Sequence, residues 1–242
     1  YADGPKKDPA EFYAMLRSKK NVTTGEVSEM DARQMGQELL RSGQDILYIG
    51  FSSALSGSVT RVQMAFRHLE NEFPNRRIYV ADSLGASLGE GLLVLYAARE
   101  RAKYKPIEQV YRYVMENRLY ICHEFMVDDL FYLRRGGRIA ASTAVLGSTL
   151  GVRPVMQIND KGLPVEIGKA RGRKKTLDAL VDHMVQYAEK PEQQTVFVSH
   201  ADCGEDAGYL ADQVRKRTGA KEVFVCPLNP VTAAHCGPGT VS

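Results

Sequence analysis

Four serine hydroxyls lie within seven residues of this 242-residue chain, directly after an apolar segment that predicts a strand over residues 45–51. They are Ser52, Ser53, Ser56 and Ser58. A helix is predicted to begin near Gly57, so the turn lies where unpaired N–H groups of a helix follow the carboxyl end of a strand. This pattern predicts a binding site for an oxygen-rich anionic group. Capping of the helix is the alternative, and the residues alone leave both open.

A single histidine, His235, stands in a segment of small residues, 229–239, that proline and glycine bound on both sides. Because its neighbours are too small to cover it, the imidazole is expected to point into a cavity and to donate to an anion. Together, Ser56 and His235 raise the hypothesis of a serine hydrolase that acts on acyl esters. The nucleophile-elbow pattern G-x-S-x-G fails at Ser56, however, because Ala54 and Ser58 replace its two glycines.

Two other kinds of segment carry polar groups. The loop at residues 21–28 contains Thr23 and Thr24 and, taken alone, is typical of a loop that caps a helix.

Basic side chains form two groups along the chain. They are Arg134, Arg135 and Arg138, and then Lys169, Arg171, Arg173, Lys174 and Lys175. The basic residues form either a solvated surface or a site for phosphate or an acidic partner protein, since guanidinium groups match such oxygens. A basic adaptor that binds an acidic protein is therefore a third hypothesis.

Composition excludes several classes of protein. Hydrophobic residues make up 44% and charged residues 25%, which allows a sizeable core, and a net charge of +3 is too small to indicate nucleic-acid binding. The longest apolar run, residues 84–98, is short and contains Glu90, so no transmembrane helix is expected. Transient contact with a membrane stays open. The four cysteines lack metal-ligand spacing, so no metal is predicted and the expected location is the reducing cytoplasm.

Hydrophobic periodicity predicts two domains. Residues 1–118 alternate strands and helices, which predicts an α/β domain with a doubly wound, mainly parallel sheet. Residues 119–242 contain a hairpin turn at 159–162 and predict an α+β domain with an antiparallel or mixed sheet. A ligand is expected in the cleft between the domains. Helices of the second domain are predicted at 127–135, 143–150, 174–189 and 205–218.

Five segments, taken in order, resemble the DegV family, which is similar to the fatty-acid-binding subunit of bacterial fatty acid kinase. They are Phe51-Ser52-Ser53-Ala54-Leu55-Ser56-Gly57-Ser58, Val80-Ala81-Asp82-Ser83, Val127-Asp128-Asp129-Leu130 with Leu133-Arg134-Arg135-Gly136-Gly137-Arg138-Ile139, Gly168-Lys169-Ala170-Arg171, and Asn229-Pro230-Val231 through His235-Cys236-Gly237-Pro238-Gly239. The segments span nearly the whole chain, so an accidental similarity is excluded.

The resemblance implies a cytoplasmic carrier that holds one long-chain fatty acid between its two domains and needs no cofactor. Thr24, Ser56 with the adjacent Gly57, and His235 match the family's carboxylate-binding positions. The carrier would present this carboxylate to the kinase subunit, which uses ATP. The chain has neither a P-loop nor a kinase glycine-rich loop, so a carrier rather than an enzyme is predicted. Further residues are implied near the head group or the kinase: Thr23, Arg138, Arg171 and Arg173.

The chain departs from the family pattern in two places. The family has Thr-Ser-Gln-Pro-Ser where this chain has Thr24-Gly25-Glu26-Val27-Ser28, so Gly25 removes a hydroxyl and Glu26 adds an anion near the expected carboxylate. The family also begins with a strand and an Asp-Ser turn that would precede Tyr1. The first strand of the predicted parallel sheet is therefore expected to be missing from this chain.

Overall fold

The computed structural model describes residues 8–139 and 151–242, and the chain forms two compact units. The first unit comprises Gly25–Cys122 and Ile158–Leu163. The second unit comprises the described residues of three segments, which are the segment up to Thr24, His123–Gln157 and Pro164–Ser242. The division differs from the expected boundary near residue 118, because residues 8–24 share their contacts with the C-terminal part of the chain. The helix predicted at 143–150 lies outside the described residues.

The first unit contains a parallel pair of strands with helices on both faces. Its strands are β1 (Ile46–Gly50) and β2 (Ile78–Asp82), and its helices are α2 (Glu29–Arg41), α3 (Ser58–Glu72), α4 (Ser87–Ala102) and α5 (Ile107–Asn117). The register pairs Ile46 with Ile78 and Gly50 with Asp82, so both strands end at the same edge. This arrangement confirms the predicted doubly wound, parallel α/β architecture.

Alternation along β1 explains the two layers of helices, since successive side chains of a strand point to opposite faces. Ile46 and Tyr48 pack with Phe66 and Leu69 on the side of α2 and α3. Leu47 and Ile49 pack against the core of α4 and α5 on the other side. Helix α2 begins directly after Ser28, because the Ser28 hydroxyl accepts from the Asp31 N–H at 3.0 Å.

The second unit contains a mixed sheet. Its strands are β3 (Glu124–Met126), β4 (Val152–Ile158), β5 (Pro164–Arg171), β6 (Thr195–His200) and β7 (Glu222–Pro227). Strands β3, β4 and β5 are neighbours in that order, with β3 antiparallel to β4, whereas β6 and β7 pair in parallel. Val241 forms antiparallel bridges to both Met126 and His200. The predicted α+β character of this part is therefore confirmed.

The second unit contains the helices α1 (Pro9–Arg17), α6 (Phe131–Arg135), α7 (Arg173–Tyr187), α8 (Gly204–Thr218) and α9 (Pro230–Cys236). Their buried side chains belong to two hydrophobic cores. Helices α7 and α8 contribute Leu177, Val181 and Leu210 to the larger core. Phe12 and Leu16 of α1 pack with Tyr132, Leu228 and Ala233 in the other core. The apolar face of α1 is therefore buried against α6 and α9.

Helix α6 is shorter than the predicted 127–135. Its first helical residue is Phe131, because the Asp129 carboxylate accepts from the Phe131 N–H at 2.8 Å and ends the preceding extended segment. Among residues 8–139 and 151–242, no helix is long and apolar enough to cross a membrane, and no group of three or more His, Cys, Asp or Glu side chains is placed to hold a metal ion.

Candidate functional site

Ser52 has a structural role in the hydroxyl-rich turn. Its side chain is fully buried, and its Oγ donates to the Gly162 carbonyl at 2.9 Å and accepts from the Ala54 N–H at 3.3 Å. Gly162 has a φ of 75°, and a Cβ at this position would overlap the Ser52 hydroxyl. The hydrogen bonds of Ser52 are therefore used within the first unit to join this turn to the 158–163 turn.

Ser56 and Ser58 form the start of helix α3. Their Oγ atoms lie 3.0 Å apart, and the Ser58 N–H donates to the Ser56 Oγ at 3.3 Å. The Ser58 Oγ also accepts from the Val27 N–H at 3.1 Å. If Ser58 donates its proton to Ser56, the Ser56 proton stays available to a further acceptor. Ser56 thus accepts from the first N–H of the helix and can still donate to a ligand.

The backbone N–H of Gly57 bonds to a carboxylate of the chain itself. It donates to Glu26 Oε1 at 3.2 Å, and the Arg61 Nε donates to Glu26 Oε2 at 2.5 Å. These bonds raise the pKa of the Arg61 guanidinium. The sequence analysis expected Gly57 to contact the ligand. In the structure its amide donor is used by Glu26, the residue that departs from the family pattern.

Thr24 and His235 meet in the second unit. The Thr24 Oγ1 lies 2.7 Å from the His235 Nε2, although the two residues are 211 positions apart in the chain. Both side chains are partly buried. Thr24 precedes the first unit in the chain, and His235 lies in the last turn of α9. The structure therefore brings together two of the residues that the sequence analysis assigned to the carboxylate, whereas Thr23 beside them is exposed.

The segment after α6 shapes the surroundings of His235. A Cβ on Gly136 would overlap the His235 Nδ1, so only glycine leaves room for the ring. The Arg135 guanidinium donates to the carbonyls of Ala234 at 3.2 Å and Lys20 at 3.1 Å. Burial, with the nearby charges of Arg138 and Arg135, lowers the pKa of His235. The imidazole is consequently neutral near pH 7, where it can both accept and donate hydrogen bonds.

Sequence reasoning did not connect Gly136 or Arg135 with His235. A pair of glycines directly after a basic pair, Arg134-Arg135-Gly136-Gly137, was the available signal. It indicates a backbone that another group approaches closely. Only the packing of α6 against α9 identifies that group as the His235 ring.

Arg173 pairs with acidic groups of its own unit. Its guanidinium donates to Asp128 and to Asp206, both at 2.7 Å, and to the Gly239 carbonyl at 2.9 Å. These groups line an open cleft of about 490 Å³ in the second unit. Arg171, in contrast, is exposed at the end of β5, and Arg138 lies near His235. Of the three arginines expected near the head group or the partner, Arg173 thus has a clear internal role.

The basic segment 169–175 is partly used by neighbouring side chains. Lys169 pairs with Glu166 at 3.2 Å, and the Lys174 Nζ lies 5.2 Å from the centre of the Tyr209 ring. Arg171 and Lys175 are exposed. The solvated surface and the adaptor hypothesis both remain compatible with this arrangement.

A family model described as "Uncharacterised protein, DegV family" matches residues 1–242, which is the whole chain. The chain belongs to the DegV family. Among its relatives, the DegV domain-containing protein CPE0026 of Clostridium perfringens is 37% identical over 234 residues, which are 97% of this chain and 80% of that protein. The resemblance stated from the five segments is confirmed.

Two solved structures are similar to this chain over 96% of its length. A protein of Thermus thermophilus, whose structure is described as "Fatty Acid Binding of a DegV family Protein", is 29% identical with a TM-score of 0.86 and covers 96% of this chain and 82% of its own. Hypothetical protein TM841 of Thermotoga maritima is described as revealing a fatty acid binding function. It is 26% identical with a TM-score of 0.81 and covers 96% of this chain and 80% of its own.

Proposed function

We propose that this DegV protein is a cytoplasmic carrier of a long-chain fatty acid and presents the carboxylate to an ATP-dependent kinase without catalysing a reaction itself. The fatty-acid-binding function described for the Thermus and Thermotoga relatives supports the ligand class. The observation that carries the proposal is the hydrogen bond between Thr24 and His235, because the imidazole can orient the threonine hydroxyl to donate to a carboxylate.

The positions of the protons on Thr24 and His235 determine how the two side chains bind an anion. A threonine hydroxyl has a single proton, which cannot serve the imidazole and a ligand at once. When the neutral His235 carries its proton on Nε2 and donates to the Thr24 Oγ1, the Thr24 hydroxyl is free to donate to the ligand. The ligand carboxylate thereby selects this tautomer. His235 orients Thr24 in this arrangement, and Thr24 makes the direct contact.

Ser56 is the second hydroxyl in the proposal. Its oxygen accepts from the Ser58 N–H, and its proton is available when Ser58 donates to it. We propose that Ser56 is a further donor to a ligand carboxylate. A carboxylate without hydrogen-bond donors costs several kcal/mol to bury, so the head group needs such contacts before the apolar chain can leave water.

The energy of binding favours a carrier of long chains. Burying about fifteen methylenes at ~0.8 kcal/mol each contributes roughly 12 kcal/mol. Association and ordering oppose this by about 4–15 kcal/mol, so the head-group contacts decide whether the net affinity is useful. The hydroxyl and imidazole contacts hold the carboxylate without altering it, and the phosphoryl transfer is assigned to the partner kinase. Arg138 and the exposed Arg171 are the residues that we propose for contact with the phosphorylated head group or that kinase.

A serine hydrolase is the competing function. Such an enzyme needs His235 to accept the proton of Ser56, within about 3 Å. In the described residues, the His235 Nε2 bonds to Thr24 and the Ser56 Oγ bonds to Ser58. These bonds favour the carrier. Hydrolysis of an acyl ester of p-nitrophenol that disappears in Ser56→Ala would instead establish the hydrolase.

Extraction of lipid from the purified chain, followed by mass spectrometry, tests the carrier proposal directly. We expect a long-chain fatty acid, and we expect added oleate to bind stoichiometrically in isothermal titration calorimetry. Thr24→Ala and His235→Ala should each weaken oleate binding by about 1–3 kcal/mol, the cost of an unmet buried acceptor. Methyl oleate should be less sensitive to both substitutions. Absence of bound lipid together with no binding of added oleate would refute the proposal.

A further inference from the structure

Glu26 occupies the beginning of helix α3 in the first unit. Its two carboxylate oxygens accept from different groups, Oε1 from the Gly57 N–H and Oε2 from the Arg61 guanidinium. The following residue is also held, because the Val27 N–H donates to the Ser58 Oγ. The carboxylate therefore has a defined place beside Ser56, although 43% of the Glu26 side chain is exposed.

The fit between Glu26 and Gly57 is close. A Cβ on Gly57 would lie 2.5 Å from Glu26 Oε1 and 2.8 Å from its Cδ. The φ of Gly57 is −74°, which any L-residue adopts, so the backbone does not require glycine here. A side chain at residue 57 would instead have to displace the carboxylate. The Gly57 N–H and the Arg61 guanidinium together form a position for an anion, and the carboxylate of Glu26 occupies it.

The electrostatics of the helix start point the same way. The N-terminus of a helix carries a partial positive charge, and Arg61 adds a full one in the next turn. Glu26 pairs with both. An incoming carboxylate at Ser56 would meet a negative charge in place of an unpaired N–H group and an unpaired arginine.

We propose that Glu26 is an internal competitor of the lipid carboxylate at the start of α3, and that it weakens the binding of acids relative to neutral lipids. This inference rests on the proposed function, in which Ser56 meets the carboxylate. It makes Glu26 a residue that determines head-group selectivity, because the start of α3 then offers an acid the Ser56 hydroxyl alone.

Oleate and methyl oleate binding to the intact chain, its Glu26→Ala variant and its Glu29→Ala variant test the inference. Glu26→Ala frees the Gly57 N–H and Arg61, so we expect oleate to bind about three- to ten-fold more tightly, in line with the size of a helix-terminus charge effect. Methyl oleate binding should not change. Glu29→Ala removes the same charge three residues later without a bond to Gly57 and serves as the matched control.

Each outcome is informative. If neither the intact chain nor any variant binds oleate, the proposed function fails. If the intact chain binds oleate and Glu26→Ala binds it equally or more weakly, the competitor is refuted while the carrier stands. An equal gain in Glu29→Ala would also refute it, since net charge alone would then explain the effect.

Glu26→Gln is a second variant, to be used if Glu26→Ala does not fold. It removes the charge but retains an oxygen for Gly57, so an affinity between those of the wild type and Glu26→Ala is expected, and a value at or below wild type contradicts the inference.

Discussion

Thr24 Oγ1 and His235 Nε2 lie 2.7 Å apart in a partly buried site of the second unit. The bond joins the segment that leads out of α1 to the last turn of α9. A hydroxyl paired with a neutral imidazole is sensitive to any negative charge that arrives beside it, because the charge favours protonation of the ring.

Fatty acid binding should take up protons. Burial and the charges of Arg138 and Arg135 lower the pKa of His235 in the free protein. A carboxylate beside the ring raises this pKa, so binding is accompanied by proton uptake at a pH between the free and the bound value. Calorimetry of oleate binding near pH 6 in two buffers of different ionisation enthalpy measures the uptake. His235→Ala should abolish it, and the same uptake in that variant would assign the proton to another group.

Gly136→Ala should weaken oleate binding more than it lowers stability. The added methyl group would overlap the His235 Nδ1 and displace the ring from Thr24. We expect a loss in affinity of about ten-fold, comparable to losing one charged hydrogen bond. Gly208→Ala is the matched control, because a Cβ at Gly208 has no neighbour within 4 Å. Titration of both variants with oleate checks the prediction, which unchanged affinity in Gly136→Ala would contradict.

The contact between Glu26 and Gly57 should appear as a coupling energy. Gly57→Ala displaces the flexible end of the Glu26 side chain from its place, so it should slightly destabilise the intact chain. In the Glu26→Ala background the new methyl group meets no carboxylate, and only the small cost of alanine at a helix start should remain. A double-mutant cycle measured by urea unfolding gives the difference. Additive effects would show that the two residues are not in contact.

Stability should fall as the pH rises from about 4.5 to about 7 because of Glu90. Burial raises the pKa of this carboxyl from its ordinary value of 4.5 to about 7. The folded state then binds the proton more tightly than the unfolded state, so stability decreases with pH in this window and is constant above it. At about 1.4 kcal/mol per pKa unit, the loss is at most about 3 kcal/mol.

Glu90→Gln should remove this slope and stabilise the protein at pH 8. Urea unfolding between pH 4 and pH 8 measures both effects. The exposed Glu116 on α5 provides the control, since Glu116→Gln should leave the slope in place. A slope that persists in Glu90→Gln would mean that another buried group is responsible.

Arg173→Ala should destabilise the second unit, whereas Arg171→Ala should not. Removing the Arg173 guanidinium leaves Asp206 without this partner and Asp128 with Arg153 alone, and a cost of about 1–3 kcal/mol is expected for this partly buried pair of bridges. Arg171 is exposed at the end of β5. Thermal unfolding of the two variants separates a structural arginine from one that is available to a partner. Equal melting temperatures would contradict the assignment.

The layered α/β architecture could be predicted because its signals are local. The apolar run of β1, the serine-rich turn after it and the helix that begins near Gly57 are read directly from neighbouring residues. The grouping of α1 with the C-terminal part could not be read in this way. It depends on which apolar face accepts Phe12 and Leu16, and that face is made by Tyr132, Leu228 and Ala233, more than a hundred residues later.

The candidate site also has one part that the sequence predicts and another that it does not. Thr24, Ser56 and His235 were assigned from the resemblance, and the meeting of Thr24 with His235 agrees with it. The bond between Glu26 and Gly57 could not be predicted, although the sequence marked Glu26 as unusual. A carboxylate can lie in many directions from its backbone, and only the position of Arg61 and the α3 amide selects one.

The buried hydroxyl of Ser52 has a consequence for synthesis on the ribosome. Its acceptor, the Gly162 carbonyl, lies 110 residues further along the chain and is made much later. Similarly, α1 is made long before its packing partner α9. The first unit therefore cannot finish folding before residues 158–163 have been made, and the second unit cannot finish before its C-terminal segment has been made. The apolar face of α1 stays exposed until α6 and α9 have been made, and a chaperone that binds nascent chains would protect it during that time.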